Sequence, residues 1–143
     1  MNNADLSRNA VKSHLIASFQ TLHRIRDELL ELLEPGDHPP PTRRDFGADL
    51  VRLQEYLIDE LRWLKSIDDQ VQGNRLRLMV DPRLGYLRRY GAELGETMKT
   101  LNAAIKSPMK VTTYGRVQHV EAFMPLGVAI LRILALEQEA RRL

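Results

Sequence analysis

The stretch "RRDFGADLVRLQEYLIDELRWLKSIDDQVQ", Arg43 to Gln72, decides the fold class. Leu50, Leu53, Leu57, Leu61, Leu64, Ile67 and Val71 recur at spacings of three and four, so one helical face carries an almost regular heptad seam. No proline interrupts it. Thr42 with Asp45 three residues on resembles a capping box, and Gly73 and Asn74 suit the other end, so a helix over residues 43–72 is expected.

The same signals repeat on either side. Upstream, "EPGDHPPPT" stops a first helix expected over residues 5–34, because prolines lack the donor that continues the ladder. Its inner face is Val11, Leu15, Leu22, Ile25, Leu29 and Leu32. Downstream, Asp81–Pro82 places an N-cap residue before proline at the first helical position, opening a third helix over residues 82–106 that ends at Ser107–Pro108. Its apolar repeat is Leu84, Leu87, Gly91, Leu94, Met98, Leu101 and Ile105. "KVTTYGRVQHVEAF" is rich in β-branched residues and fits either a short β-hairpin near residues 110–123 or an irregular lead into a last helix over residues 125–142.

The expectation is one all-α domain spanning residues 1–143, built of long antiparallel helices in a hairpin or bundle. Helices of about 30 residues are about 45 Å long, which is hard to cover within one small chain. In the last helix Leu126, Val128, Ile130, Leu131, Ile133, Leu134 and Leu136 almost encircle the axis. Such a helix is either central to the core or a contact between subunits; in the second reading Leu126, Ile130, Ile133 and Leu134 form the oligomer interface.

Composition narrows the chemistry. With 43% hydrophobic and 28% charged residues the chain is globular, and its lack of cysteine removes disulfides, thiolate metal sites and thiol catalysis. The longest apolar run, Ala122 to Leu131, is half of what a bilayer span needs, so a cytoplasmic protein without membrane contact is expected. No Glu-x-x-His pair, glycine-rich phosphate loop or nucleophile elbow is present. His23 and Asp27 have a spacing that suits a metal but lack a third ligand, so a surface hydrogen bond is expected. His38 and His119 read as structural or solvent-exposed, and no catalytic residue, metal or cofactor is expected.

Charge supplies the remaining signal. The net charge is +2, yet residues 1–74 hold 9 basic and 13 acidic side chains while residues 75–116 hold 9 basic and 3 acidic ones. Arg75, Arg77, Arg83, Arg88 and Arg89 crowd around the start of the third helix. Farther along, Lys99 and Lys106 fall within about 20° of Arg88 on the helical wheel, with Ala92 and Gly95 on nearly the same line. Small residues between cations let a phosphate backbone approach closely, which makes these seven residues a candidate surface for double-stranded DNA. Each arginine alone has an alternative use, as the partner of a carboxylate on the acidic helices.

"RRDFGADLVRLQEYLIDELRW" followed by "DPRLGYLRRYGAELGETMKTLNAAIKSP" resembles the central region of phage terminase small subunits. Asp45, Leu50, Leu53, Tyr56 and Trp63, then Gly73, Asp81–Pro82 and Ser107–Pro108, stand in comparable places, over roughly Leu15 to Pro108. The N-terminal helix-turn-helix common in that family is not evident. The resemblance implies a non-enzymatic, ring-forming homo-oligomer that binds viral DNA in the host cytoplasm and regulates a large ATPase–nuclease subunit. The alternative is a helical regulator or chaperone that buries a partner's helix in its leucine seams and binds no nucleic acid.

Overall fold

The computed structural model of the protein describes residues 8–33, 43–73, 82–106 and 124–143. Every element among them is helical: α1 (Arg8–Leu33), α2 (Arg43–Gly73), α3 (Pro82–Lys106), α4 (Met124–Leu134) and a single turn, α5 (Glu137–Ala140). The β-hairpin expected near residues 110–123, the Thr42 cap, Asp81 and Ser107–Pro108 lie outside the described residues.

The helices form a bundle. α2 packs between α1 and α3, and α4 closes the circuit by packing on both α3 and α1. Contacts along α1 and α2 run in opposite order, since Glu28 meets Arg52 while His14 meets Glu60. One cluster of buried side chains draws on all five elements. In α1 it takes Val11, Leu15, Leu22, Ile25 and Leu29 as the periodicity requires, with Phe19 filling the gap between Leu15 and Leu22. Each fully buried leucine contributes about 1.5–3 kcal/mol relative to exposure.

The heptad seam of α2 divides along its length. Leu50, Leu53, Leu57 and Ile67 are buried, whereas Leu61 and Leu64 are only partly covered. In α3 the buried face differs from the leucine repeat. Tyr86, Leu87, Tyr90, Leu94, Thr97, Leu101 and Ala104 point inward, while Ile105 is exposed. That face is turned by about 65° from the one the leucines mark. α3 packs on both α2 and α4, and its two tyrosines turn inward, Tyr90 to Tyr56 of α2 and Phe19 of α1 and Tyr86 to the Leu136 carbonyl.

The last helix begins at Met124 and is interrupted where the sequence indicated continuity to residue 142. The Leu136 N–H donates to the Ile133 carbonyl, three residues back, at 3.0 Å. The Leu136 carbonyl in turn accepts the Tyr86 hydroxyl at 2.7 Å and the Ala140 N–H at 3.1 Å. This tightened turn separates α5 from α4 and ties it to α3.

Candidate functional site

Two openings flank α2, and their chemistry differs. The one toward α1, about 500 Å³, is polar, and its lining includes His14, Ser18, Arg24, Arg52, Tyr56 and Glu60. At its floor the Glu60 carboxylate, in a residue only 4% exposed, lies 2.7 Å from His14 Nε2. The His14 ring stacks on Trp63 with 3.6 Å between centroids and 13° between planes. A buried carboxylate is tolerated only when its charge is answered, and the imidazole held by Trp63 answers it. Deeper in, the Tyr56 and Tyr90 hydroxyls share a hydrogen bond of 2.8 Å. Burial raises the pKa of both phenols, reinforced for Tyr56 by the Glu60 charge and for Tyr90 by Tyr56. At the far end Arg52 pairs with Glu28 and lies 3.6 Å from Asp49.

This cleft holds a carboxylate–imidazole pair without an activated nucleophile. Ser18, one turn along α1 from His14, makes no hydrogen bond to it. Its inner groups answer one another, His14 with Glu60 and Tyr56 with Tyr90, as in a structural network, while Arg24, Glu55 and Asp59 in its lining are exposed.

The opening toward α3, about 320 Å³, is apolar. Leu61, Leu64 and Ile67 of α2 face Leu84, Leu87 and Gly91 of α3. A Cβ at Gly91 would lie 3.2 Å from Leu64 Cδ1, a tight contact that Leu64 would have to ease by a few tenths of an ångström. Lys65 and Asp68 on one lip and Arg88 on the other are exposed. Among the described residues neither Lys65 nor Arg88 has an ion-pair partner.

The basic residues singled out by sequence are dispersed. Arg75 and Arg77 lie outside the described residues. Arg83 is half-buried and engaged with other groups. Arg89 pairs with Glu139 of α5, with its guanidinium 5.7 Å from the Tyr86 ring centroid. That hydrogen bond raises the Arg89 pKa and lowers that of Glu139. Lys99 sits 3.2 Å from Glu96. Arg88, Lys99 and Lys106 are all exposed, on a line about 160° from the buried face of α3. They point to solvent, where the leucine repeat had put them at the side of the seam.

α4 divides cleanly. Leu126, Ile130 and Ile133 are buried in the chain's own core, with Leu134 packed against it, while Met124, Val128 and Leu131 are 57%, 52% and 47% exposed. The apolar surface free for another chain is therefore the opposite face from the four residues marked in the sequence. His23 Nε2 lies 2.8 Å from Glu137 Oε1, an α1–α5 clasp that the sequence does not signal because its partner is 114 residues away. Among the described residues no three potential ligands are placed to hold a metal ion, and no helix is long and apolar enough to cross a membrane.

The residues that organise the polar cleft, His14 and Glu60, carry no local sequence motif. Only the mismatch of an acid at a position flanked by Leu57, Leu61 and Leu64 marks Glu60 as unusual. No protein-family model, curated protein or solved structure matches this chain, so its function rests on the surfaces described above.

Proposed function

We propose that this protein is a non-enzymatic helical adaptor that holds a partner's helix in the α2–α3 groove and self-associates through the outer face of α4. The observation that carries the reading is the groove: half-covered leucines from two helices, a glycine between them, and charged lips. Helix-in-groove recognition needs this combination, apolar pockets for anchors and polar edges for register. Two or three leucine-sized anchors contribute roughly 4–8 kcal/mol, much of which the cost of association offsets. Repeating the groove in a homo-oligomer raises the avidity without any new contact. Met124, Val128 and Leu131 supply an apolar stripe at four- and three-residue spacing for that association.

A panel of labelled amphipathic peptides, titrated against the whole protein by fluorescence polarisation, tests the groove. Saturable binding that Leu61→Glu and Leu84→Glu abolish is expected; no binding by any peptide removes the adaptor reading. Native mass spectrometry tests association: species heavier than the 16.5 kDa chain should fall to that mass in Val128→Asp/Leu131→Asp.

A second reading is favoured by the outward line of Arg88, Lys99 and Lys106, about 16 Å and about 10 Å apart along the helix. That line suits the phosphates of double-stranded DNA, as in a terminase small subunit of the resembled kind, acting in the host cytoplasm beside a large ATPase–nuclease subunit. Filter binding decides it. Three phosphate contacts give a slope of about −3 in log affinity against log salt, and Arg88→Glu/Lys99→Glu should abolish retention. DNA affinity that is absent, or indifferent to both substitutions, removes this reading.

A further inference from the structure

We infer that the α2–α3 groove selects an acidic amphipathic helix, one that sets apolar anchors between the lips and carboxylates against Lys65 and Arg88. This rests on the adaptor reading and states what the partner must carry.

The lips supply the argument. Lys65 comes from α2 and Arg88 from α3, so a cation stands on each side of the apolar floor. Some cations near its helix interfaces are answered, Arg52 by Glu28, Arg89 by Glu139, and Arg141 by Glu137 at 3.5 Å, while the buried Arg26 Nε has no partner among the described residues. Lys65 and Arg88 have no such partner among the described residues, and both are exposed. An apolar segment with carboxylates on both flanks therefore meets complementary charge on both edges, while a lysine-flanked one meets like charge twice.

The groove also limits length and direction. From Leu61 to Asp68 is about 10 Å of helix, roughly two turns. A partner then needs anchors at i, i+4 and i+7, which share one face. Asp68, one turn beyond Lys65 on the same lip, disfavours a carboxylate at that end and favours a basic residue there. The preferred partner is thus acidic beside Leu61 and Leu64 and basic at its end near Ile67, so charge sets its polarity. A phosphate backbone gains nothing from this floor, which has six apolar or glycine residues and an acid at the edge.

The test uses the full chain and three fluorescein-labelled 18-residue peptides that share leucine anchors and differ only in flanking Glu, Gln or Lys. Expected is at least tenfold tighter binding of the Glu peptide than of the Lys peptide, narrowing at 0.5 M salt and inverting in Lys65→Glu/Arg88→Glu. Both substituted side chains are exposed, so circular dichroism should match the wild type. Equal affinity for all three peptides overturns this inference and leaves the adaptor reading standing. Failure of every peptide to bind overturns both.

Discussion

α2 shows opposite chemistry to its two neighbours. Toward α1 it presents Arg52 and Glu60, met by Glu28 and His14, while Tyr56 reaches Tyr90 of α3. Toward α3, beyond Tyr56, it presents Leu61, Leu64 and Lys65, which the chain leaves half-covered or unpaired. A polar seam whose groups satisfy one another has spent its interactions on the fold. An apolar groove with unanswered charges at its lips is the surface that the adaptor reading assigns to a partner. The comparison thus separates the two openings by chemistry rather than by size, and the proposed partner site is the smaller one.

Truncation is the most forceful way to break this contrast. Leu57→Ala, at a fully buried position, should cost about 2–5 kcal/mol. Leu61→Ala, on the groove wall, should cost distinctly less, because part of its side chain already faces water. Urea denaturation of both variants measures the difference. Equal losses would mean that the groove is closed in solution.

Alkaline pH comes next. Tyr56 and Tyr90 have pKa values raised in the folded state above the ordinary phenol value near 10. The native state thus holds their protons more tightly than the unfolded chain does. That stability is fully present below pH 10 and is lost as pH rises through the folded values. Each tyrosine contributes a slope of about 1.4 kcal/mol per pH unit over that window. Phenolate absorbance should appear together with loss of helix, and Tyr56→Phe/Tyr90→Phe should flatten the pH dependence. Ionisation of both tyrosines without unfolding would show that the polar seam is open.

How far the sequence reaches can be judged at these same residues. α3 spans Pro82–Lys106 among the described residues, starting at the proline whose fixed φ the sequence marks locally. The inward face of α1 is equally legible, since one period repeats without interruption. The buried face of α3 is not: a wheel ranks leucine above tyrosine and cannot know that Tyr90 meets Tyr56 and Tyr86 meets the Leu136 carbonyl. The pairing of His14 with Glu60 across 46 residues is likewise invisible until α1 and α2 are laid together. The groove was legible only as a seam; that Leu61 and Leu64 remain half-covered follows from how α3 sits, with Gly91 against Leu64.

Within the polar seam a smaller contrast is expected. His14→Ala strands the Glu60 carboxylate and should cost about 1–3 kcal/mol. Arg52→Ala removes an ion pair between half-exposed side chains and should cost no more than about 1 kcal/mol. Trp63, the one tryptophan, stacks on His14, so its fluorescence reports whether the first substitution disturbs the seam locally or the whole bundle.

The smallest effect is the most informative about the groove. Gly95→Ala introduces a methyl group with nothing within 4 Å, so it should stabilise α3 by about 1 kcal/mol through helix propensity alone. Gly91→Ala brings the same propensity but places its methyl 3.2 Å from Leu64 Cδ1. If Leu64 borders an open groove, its terminal methyl can turn away, and the two opposed terms should leave a net change below about 1 kcal/mol. If Leu64 is locked by packing, overpacking should dominate and cost about 1–3 kcal/mol. Comparing the two alanine variants by urea midpoint cancels the propensity term, because both sites lie in the same helix. What remains is the freedom of Leu64, the property that a helix-binding groove requires and a filled seam lacks.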